Sequence, residues 1–230
     1  MHEMAGMSRP AFLAFDVNET LLDLSALDPP IESALGDASL RPVWFQLMLQ
    51  LAFVGEIIGE YVDFASAQRA ALEMIARRQG VPLDEQAAAA VAQAMRVLPA
   101  HPDVSGALER LRSGGFGLVA FTNSTLEVAR EQLASAGIAG AFDAVVSADE
   151  ARQLKPGRRA YGMAAECCGV DIGEMMLVAA HNWDVTGAMA AGARAAFVAR
   201  QGMVPSPLGA QPELIADDLD ELAGLLLDLG

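Results

Sequence analysis

Four polar clusters in the chain stand behind short apolar runs. Asp16 follows Ala11–Phe15, and Thr122, Asn123 and Ser124 follow Gly117–Phe121. Lys155 lies in the loop after Ala144–Ser147, and His181, Asn182, Trp183 and Asp184 follow Met175–Ala180. A carboxylate in such a place can act as nucleophile or base, hydroxyls and amides can hydrogen-bond a reacting group, and a lysine brings positive charge. A lone aspartate would mean little, because aspartate often caps helices and turns. Asp, Thr/Asn/Ser, Lys and Asp in this order is far more specific, and it points to Asp16 as a nucleophile.

The elements that must position these groups follow from the hydrophobic pattern. The apolar runs read as strands buried on both faces, with a fifth at Ala195–Ala199 and a short sixth at Leu214–Ala216. Helical patterns lie between them at Val104–Arg112, Leu126–Ala136, Arg158–Cys168, Val185–Ala191 and Leu219–Leu227. Alternation of this kind predicts an α/β fold with a Rossmann-like parallel sheet, whose ligands bind beyond the carboxyl ends of the strands. Residues 22–97 differ. After a Pro-containing loop at Asp28–Pro30, only helices are expected, at Arg41–Gly59, Ala65–Arg78 and Leu83–Val97. The predicted organisation is an α/β core of residues 1–21 and 98–230 with an inserted all-helical cap of residues 22–97. About ten N-terminal residues read as an arm. His101-Pro-Asp103 and Asp184 read as helix starts.

Bulk properties narrow the function. The net charge of −15 and pI of about 4.4 disfavour nucleic acid as a partner and also repel small anions, so an anionic substrate needs local cations. Cys167 and Cys168 are adjacent, with no disulfide framework and no zinc-ligand spacing, so no metal site is expected from them. Met1–Pro10 lacks the apolar run of a signal peptide, and Leu47–Ile58 is too short to span a bilayer and carries Gln50 and Glu56. The expected location is cytoplasmic, with no membrane partner.

The sequence resembles the haloacid dehalogenase superfamily, and within it the type II (S)-2-haloacid dehalogenases, from about Ala11 to Leu227. The motifs are Phe15-Asp-Val-Asn-Glu-Thr-Leu-Leu-Asp23, Phe121-Thr-Asn-Ser124, Leu154-Lys-Pro156 with Tyr161 six residues after the lysine, and Val178-Ala-Ala-His-Asn-Trp-Asp184. The resemblance implies hydrolysis of a small halogenated carboxylate to the 2-hydroxy acid through an ester on Asp16, with no cofactor, in a homodimer. It implies that Lys155 keeps Asp16 ionised and that Asp184 fixes Lys155 and positions or activates the water. Thr20 and Thr122 hydrogen-bond the reacting groups, aided by backbone near Val17 and Asn18. Asn123, Trp183 and Phe64 line the halide side, with Tyr161 and Asn182 in the site.

Within that superfamily, phosphatases carry a second Asp two residues after the nucleophile. Here that position is Asn18, whose amide cannot protonate a leaving alkoxide, whereas a halide needs no proton. Their magnesium acids are also incomplete, because Ala179-Ala-His-Asn182 leaves only Asp184. A small-metabolite phosphatase and a degenerate carboxylate-binding member are the alternatives. Two departures touch the substrate side. The family's cap arginine falls at Phe45, with Arg41 one turn earlier as a replacement. The fourth motif's usual Ser and Asn become Ala179 and His181, so His181 is a candidate for polarising the water or a halide, including fluoride.

Overall fold

A computed structural model describes residues 7–229. In chain order the elements are β1 (Phe12–Phe15), α1 (Asp28–Leu35), α2 (Arg41–Ile58), α3 (Phe64–Gln79), α4 (Glu85–Met95), α5 (Val104–Ser113), β2 (Gly117–Thr122), α6 (Leu126–Ser135), β3 (Ala144–Ser147), α7 (Arg158–Cys168), β4 (Met175–Ala179), α8 (Asn182–Ala191), β5 (Arg194–Val198), β6 (Leu214–Ala216) and α9 (Leu219–Leu227). The strands form one sheet in the order β3-β2-β1-β4-β5-β6, with every pairing parallel. Short apolar strands fit this place, because helices cover both faces. Helix α5 packs with α9 and α7 with α8, as right-handed crossovers on opposite faces require.

The sheet order places the site. From β1 the chain builds outward through β2 and β3, then returns to pair β4 against the other side of β1. Phe15 therefore faces Ala120 on one side and Val178 on the other. The crevice between β1 and β4 is the topological switch point, where the loops after the two strands diverge and leave room for a ligand. Asp16 closes β1, and Ala180 and His181 follow β4.

Helices α1–α4 occupy residues 28–95 with no strand among them. Two connectors, running side by side, join them to the sheet: Asp23 N–H donates to Pro99 O at 2.8 Å and His101 N–H to Leu21 O at 2.9 Å. Trp44 is fully buried and its Nε1–H donates to Gln68 O at 3.1 Å, which ties α2 to α3. Asp63 and Asp84 cap α3 and α4 through their side chains.

Several expectations change. The stretch expected as a Pro-containing loop is the start of α1. Its prolines occupy the first turn, where no intrahelical N–H partner is needed. Helix α5 starts directly after His101-Pro-Asp103 as expected, although the Asp103 side chain does not cap it and accepts instead from Arg200 and from Leu219 N–H. Helix α8 starts at Asn182, so Asp184 lies inside its first turn and is not the cap. Of the expected N-terminal arm, residues 1–6 lie outside the described residues. Met7 packs against the core and the Arg9 guanidinium sits 3.8 Å from the Phe116 ring centroid, so that stretch is docked. Among the described residues, no helix is long and apolar enough to cross a membrane.

Candidate active site

Asp16 is almost completely buried, and each oxygen has named partners. Lys155 Nζ donates to Oδ1 at 2.9 Å, Thr20 Oγ1–H donates to Oδ2 at 2.7 Å, and His181 Nδ1 lies 3.0 Å from Oδ2. Thr20 is oriented in turn, because its hydroxyl accepts from Ala180 N–H at 2.9 Å. Burial alone raises a carboxyl pKa, but Lys155 and His181 outweigh it and hold Asp16 well below the usual carboxylate range. Asp16 is an anion whose solvation shell is protein.

Lys155 has three protons and three acceptors: Asp16 Oδ1, Phe121 O at 3.0 Å and Asp184 Oδ2 at 2.6 Å. Burial disfavours its charge, yet the two carboxylates outweigh that and raise its pKa above the ordinary lysine value. The Asn123 amide grips the same residue from behind, accepting from Lys155 N–H at 2.7 Å and donating to Lys155 O at 3.1 Å. Asp184 accepts Lys155 on one oxygen and the Tyr161 hydroxyl on the other at 2.6 Å. Burial, with Asp16 nearby, raises the Asp184 pKa despite Lys155. Burial and Asp184 likewise push the Tyr161 phenol well above its ordinary value, so it remains a donor. Gly187 permits this packing: a Cβ there would lie 2.4 Å from Pro156 Cβ and 2.6 Å from Tyr161 Oη.

His181 is held on four sides. Its Nδ1 faces Asp16 and its Nε2 faces Glu19 Oε2 at 2.9 Å. Carboxylate oxygens only accept, so both nitrogens must carry protons and the ring is an imidazolium. Burial opposes this, but the hydrogen bonds to Asp16 and Glu19 prevail and push the pKa up to about 9. Phe45 stacks on one side at 5.8 Å between centroids and Trp183 stacks at 5.1 Å. Glu19 was not among the residues the sequence singled out. Its one signal is position within the first motif, because the left-handed backbone at φ 62°, uncommon outside glycine, is visible only in three dimensions.

A small cavity of about 10 Å³, room for roughly one water, sits on Asp16. Asn18, Phe45, Phe64, Thr122, Asn123, Lys155, His181 and Trp183 line it with Leu49. The buried Trp183 Nε1–H has no hydrogen-bond partner. Phe45, Leu49, His181 and Trp183 also form the partition to an outer vestibule of about 250 Å³. Asn182 is exposed on that outer side. The Asn18 amide accepts from Gln132 Nε2 at 3.0 Å, and Gln132 also donates to Met95 O; the sequence did not flag Gln132.

Six expected site residues do not line the cavity: Thr20 and Asp184, which act on Asp16 and Lys155, the outward Asn182, and Arg41, Val17 and Tyr161. Arg41, the expected replacement for a substrate-contacting arginine, turns away: its Nε donates to Asp28 at 2.6 Å and its NH1 lies 3.7 Å from Glu19 Oε1. Val17 is buried and acts through its carbonyl, which accepts from Leu21 and Leu22 N–H and builds the turn behind Asp16. Tyr161 acts on Asp184 from outside the cavity. Asp184 lies behind Lys155, and each of its oxygens accepts one side-chain hydrogen bond, from Lys155 and from Tyr161.

A divalent cation does not fit this donor set. The groups closest to Asp16 are two cations and a hydroxyl, the oxygens of Asp184 are engaged, and the residue two positions after Asp16 is an amide. Among the described residues, no group of three His, Cys, Asp or Glu side chains converges as a metal site.

A buried strand-end aspartate thus sits at the switch point of a parallel sheet, paired with a lysine and near a second aspartate, and a model of the haloacid dehalogenase-like hydrolases matches residues 12–192: the chain belongs to that family. Among its relatives, (S)-2-haloacid dehalogenase H-109 of Pseudomonas putida is 30% identical over 94% of this chain and 97% of that protein. Haloacetate dehalogenase H-2 of Moraxella sp. (strain B) is 28% identical over 96% and 99%. The solved structure of L-2-haloacid dehalogenase from Xanthobacter autotrophicus superposes with a TM-score of 0.89 at 26% identity, covering 96% of this chain and all of the other.

Proposed function

We propose that this protein hydrolyses small 2-haloalkanoates to 2-hydroxyalkanoates through an ester on Asp16. The observation that carries this reading is a buried, ionised Asp16 in a small apolar-walled cavity, with Asn18 where a phosphatase needs an acid. Asp16 attacks the halogen-bearing carbon in line, the carbon–halogen bond breaks, and halide leaves with its electron pair. Water then attacks the Asp16 carbonyl carbon, freeing the hydroxy acid and regenerating the carboxylate. Thr20 and Lys155 hold Asp16 on course, Asp184 and Tyr161 hold Lys155, and Trp183 Nε1–H is a free donor for halide. His181 meets the water.

Charge supports an anionic substrate. Asp16, Asp184 and Glu19 are matched by Lys155, His181 and Arg41, which gives a small carboxylate a locally neutral pocket in a chain of net charge −15. The division into an α/β core (1–21 and 98–230) and a helical cap (22–97) is part of the proposal, because α2 and α3 supply the cavity's Phe45, Leu49 and Phe64. So is a cytoplasmic homodimer, with the exposed Val54, Ile57 and Ile58 of α2 as the surface for a second copy.

The test is halide release from chloroacetate and 2-chloropropanoate beside p-nitrophenyl phosphate turnover, each with EDTA and with magnesium. Metal-independent halide release is expected. Magnesium-dependent phosphate release without halide would overturn the reading.

A further inference from the structure

Lys155, His181 and Arg41, the cations of the site, are all engaged. Every proton of Lys155 is on an acceptor, the His181 ring lies between Asp16 and Glu19, and Arg41 is turned to Asp28 and Glu19. A carboxylate entering the cavity must therefore be met by neutral donors. Trp183 offers its indole N–H. Thr122 accepts from Ser124 N–H at 3.1 Å and gives its own hydroxyl proton to no acceptor among the described residues. Asn18 is a third donor only if its amide nitrogen, not its oxygen, is the end left for a ligand.

Gln132 decides this. It stands on α6, fully buried, and its Nε2 donates to Met95 O at 2.7 Å and to Asn18 Oδ1 at 3.0 Å. Met95 is the last residue of α4, and the residue four further on is Pro99, which has no N–H to give its carbonyl. A carbonyl only accepts, so Gln132 must turn its nitrogen to it; the reversed amide would set two acceptors 2.7 Å apart. The same nitrogen claims the oxygen of Asn18. Asn18 Nδ2 is left on the other side, with one long contact, 3.4 Å to Ser124 Oγ, for its two protons. Packing does not explain the glutamine. Its Oε1 is buried with no partner among the described residues, a cost that an apolar side chain of that size would not incur.

We propose that Gln132 is a positioning residue, which fixes the Asn18 amide with its N–H toward the cavity and so makes Asn18 a donor to the substrate's carboxylate. The inference rests on the proposed haloalkanoate substrate. Asn18 and Thr122 both contact Ser124 and both line the cavity, so they offer two neutral donors from one wall. Two such donors can take the two oxygens of a carboxylate and leave Asp16 to attack the neighbouring carbon. The carbonyl that starts this chain ends α4, and the amide that finishes it stands two residues from the nucleophile. The end of α4 thereby sets the polarity of a residue in the cavity wall, and an anion is bound without a further buried cation.

Acetate, a small carboxylate with no halogen, reads binding without turnover. In ¹⁵N-edited NMR the Asn18 side-chain amide, assigned by its loss in Asn18→Ala, should shift when acetate is added to the wild type. Gln132→Met keeps the volume and removes the amide, and it should weaken acetate binding about 10- to 100-fold, the worth of one hydrogen bond to a charged group. With chloroacetate it should raise KM by a similar factor and leave kcat within about threefold. Asn18→Ala should weaken acetate by the same factor, and Gln132→Met added to it should weaken it no further. A glutamine that only packs would lower kcat along with stability, and its loss would still weaken binding in the Asn18→Ala background. Gln132→Leu repeats the cycle should Gln132→Met not fold. An Asn18 amide unmoved by saturating acetate, or independent losses in the double variant, overturns the inference. Acetate binding with the Asn18 response but no halide release from chloroacetate would instead overturn the proposed function.

Discussion

Lys155 is the residue on which the site's electrostatics turn, and Lys155→Met isolates its charge at similar volume. The ammonium is fully buried, with two carboxylates and a backbone carbonyl as its partners. Breaking a buried pair by removing one partner costs about 3–5 kcal/mol, because the remaining charge has lost both water and counter-ion. Here two carboxylates are left. For a chain of this size the loss corresponds to a fall in Tm of about 6–20 °C. Halide release should vanish, since Asp16 loses a cation that keeps it ionised. The penalty should shrink in acid, where the two buried carboxyls take up protons and no longer need the cation. Thermal and urea unfolding of Lys155→Met, Asp184→Asn and the double variant measure this. Neutralising Asp184 as well should recover part of the loss, with a coupling of about 0.5–3 kcal/mol. A loss below about 1 kcal/mol, or strictly additive variants, would refute the buried three-charge description.

Three other outcomes follow from the same geometry. His181 has a folded pKa of about 9 against 6.5 for the free group, so it contributes stability that is fully present below about pH 6.5 and disappears as the pH rises through 9. That contribution is about 3 kcal/mol, and unfolding titrations of His181→Asn should lack this slope. Gly187→Ala drives a methyl into Pro156 and the Tyr161 hydroxyl, and should cost about 1–3 kcal/mol and loosen Asp184; unchanged unfolding and activity would contradict the close approach. Phe45→Ala removes the partition beside His181, and the ratio of kcat/KM for 2-chlorobutanoate to that for chloroacetate should rise about tenfold, whereas a constant ratio would take Phe45 out of substrate selection.

Much of the architecture was legible because it is local. Strands β3 and β6 and helices α7 and α9 fall where the apolar patterns put them, since a strand buried on both faces needs an unbroken apolar run and a surface helix needs its 3.6-residue period. Helix α1 was not legible, because Pro29 and Pro30 signal a break except in the one turn where they stand. Asp184 was read both as a helix start and, through the resemblance, as the partner of Lys155, because a short polar residue before an apolar stretch does not by itself say whether its side chain turns back to the helix or inward.

The sequence by itself placed Asp16, Thr122, Lys155 and Asp184 at strand ends, and Asn18 spoke against an acid at that position. Those statements need only residue type, order and period. Tertiary structure decided the rest, because contacts across 139 residues, as between Asp16 and Lys155, or 162, as between Glu19 and His181, have no local signature. It turned Arg41 away from the cavity, engaged both oxygens of Asp184, and set His181 between two carboxylates and two aromatic rings. A histidine's charge is a property of its neighbours, and its neighbours are chosen by the fold.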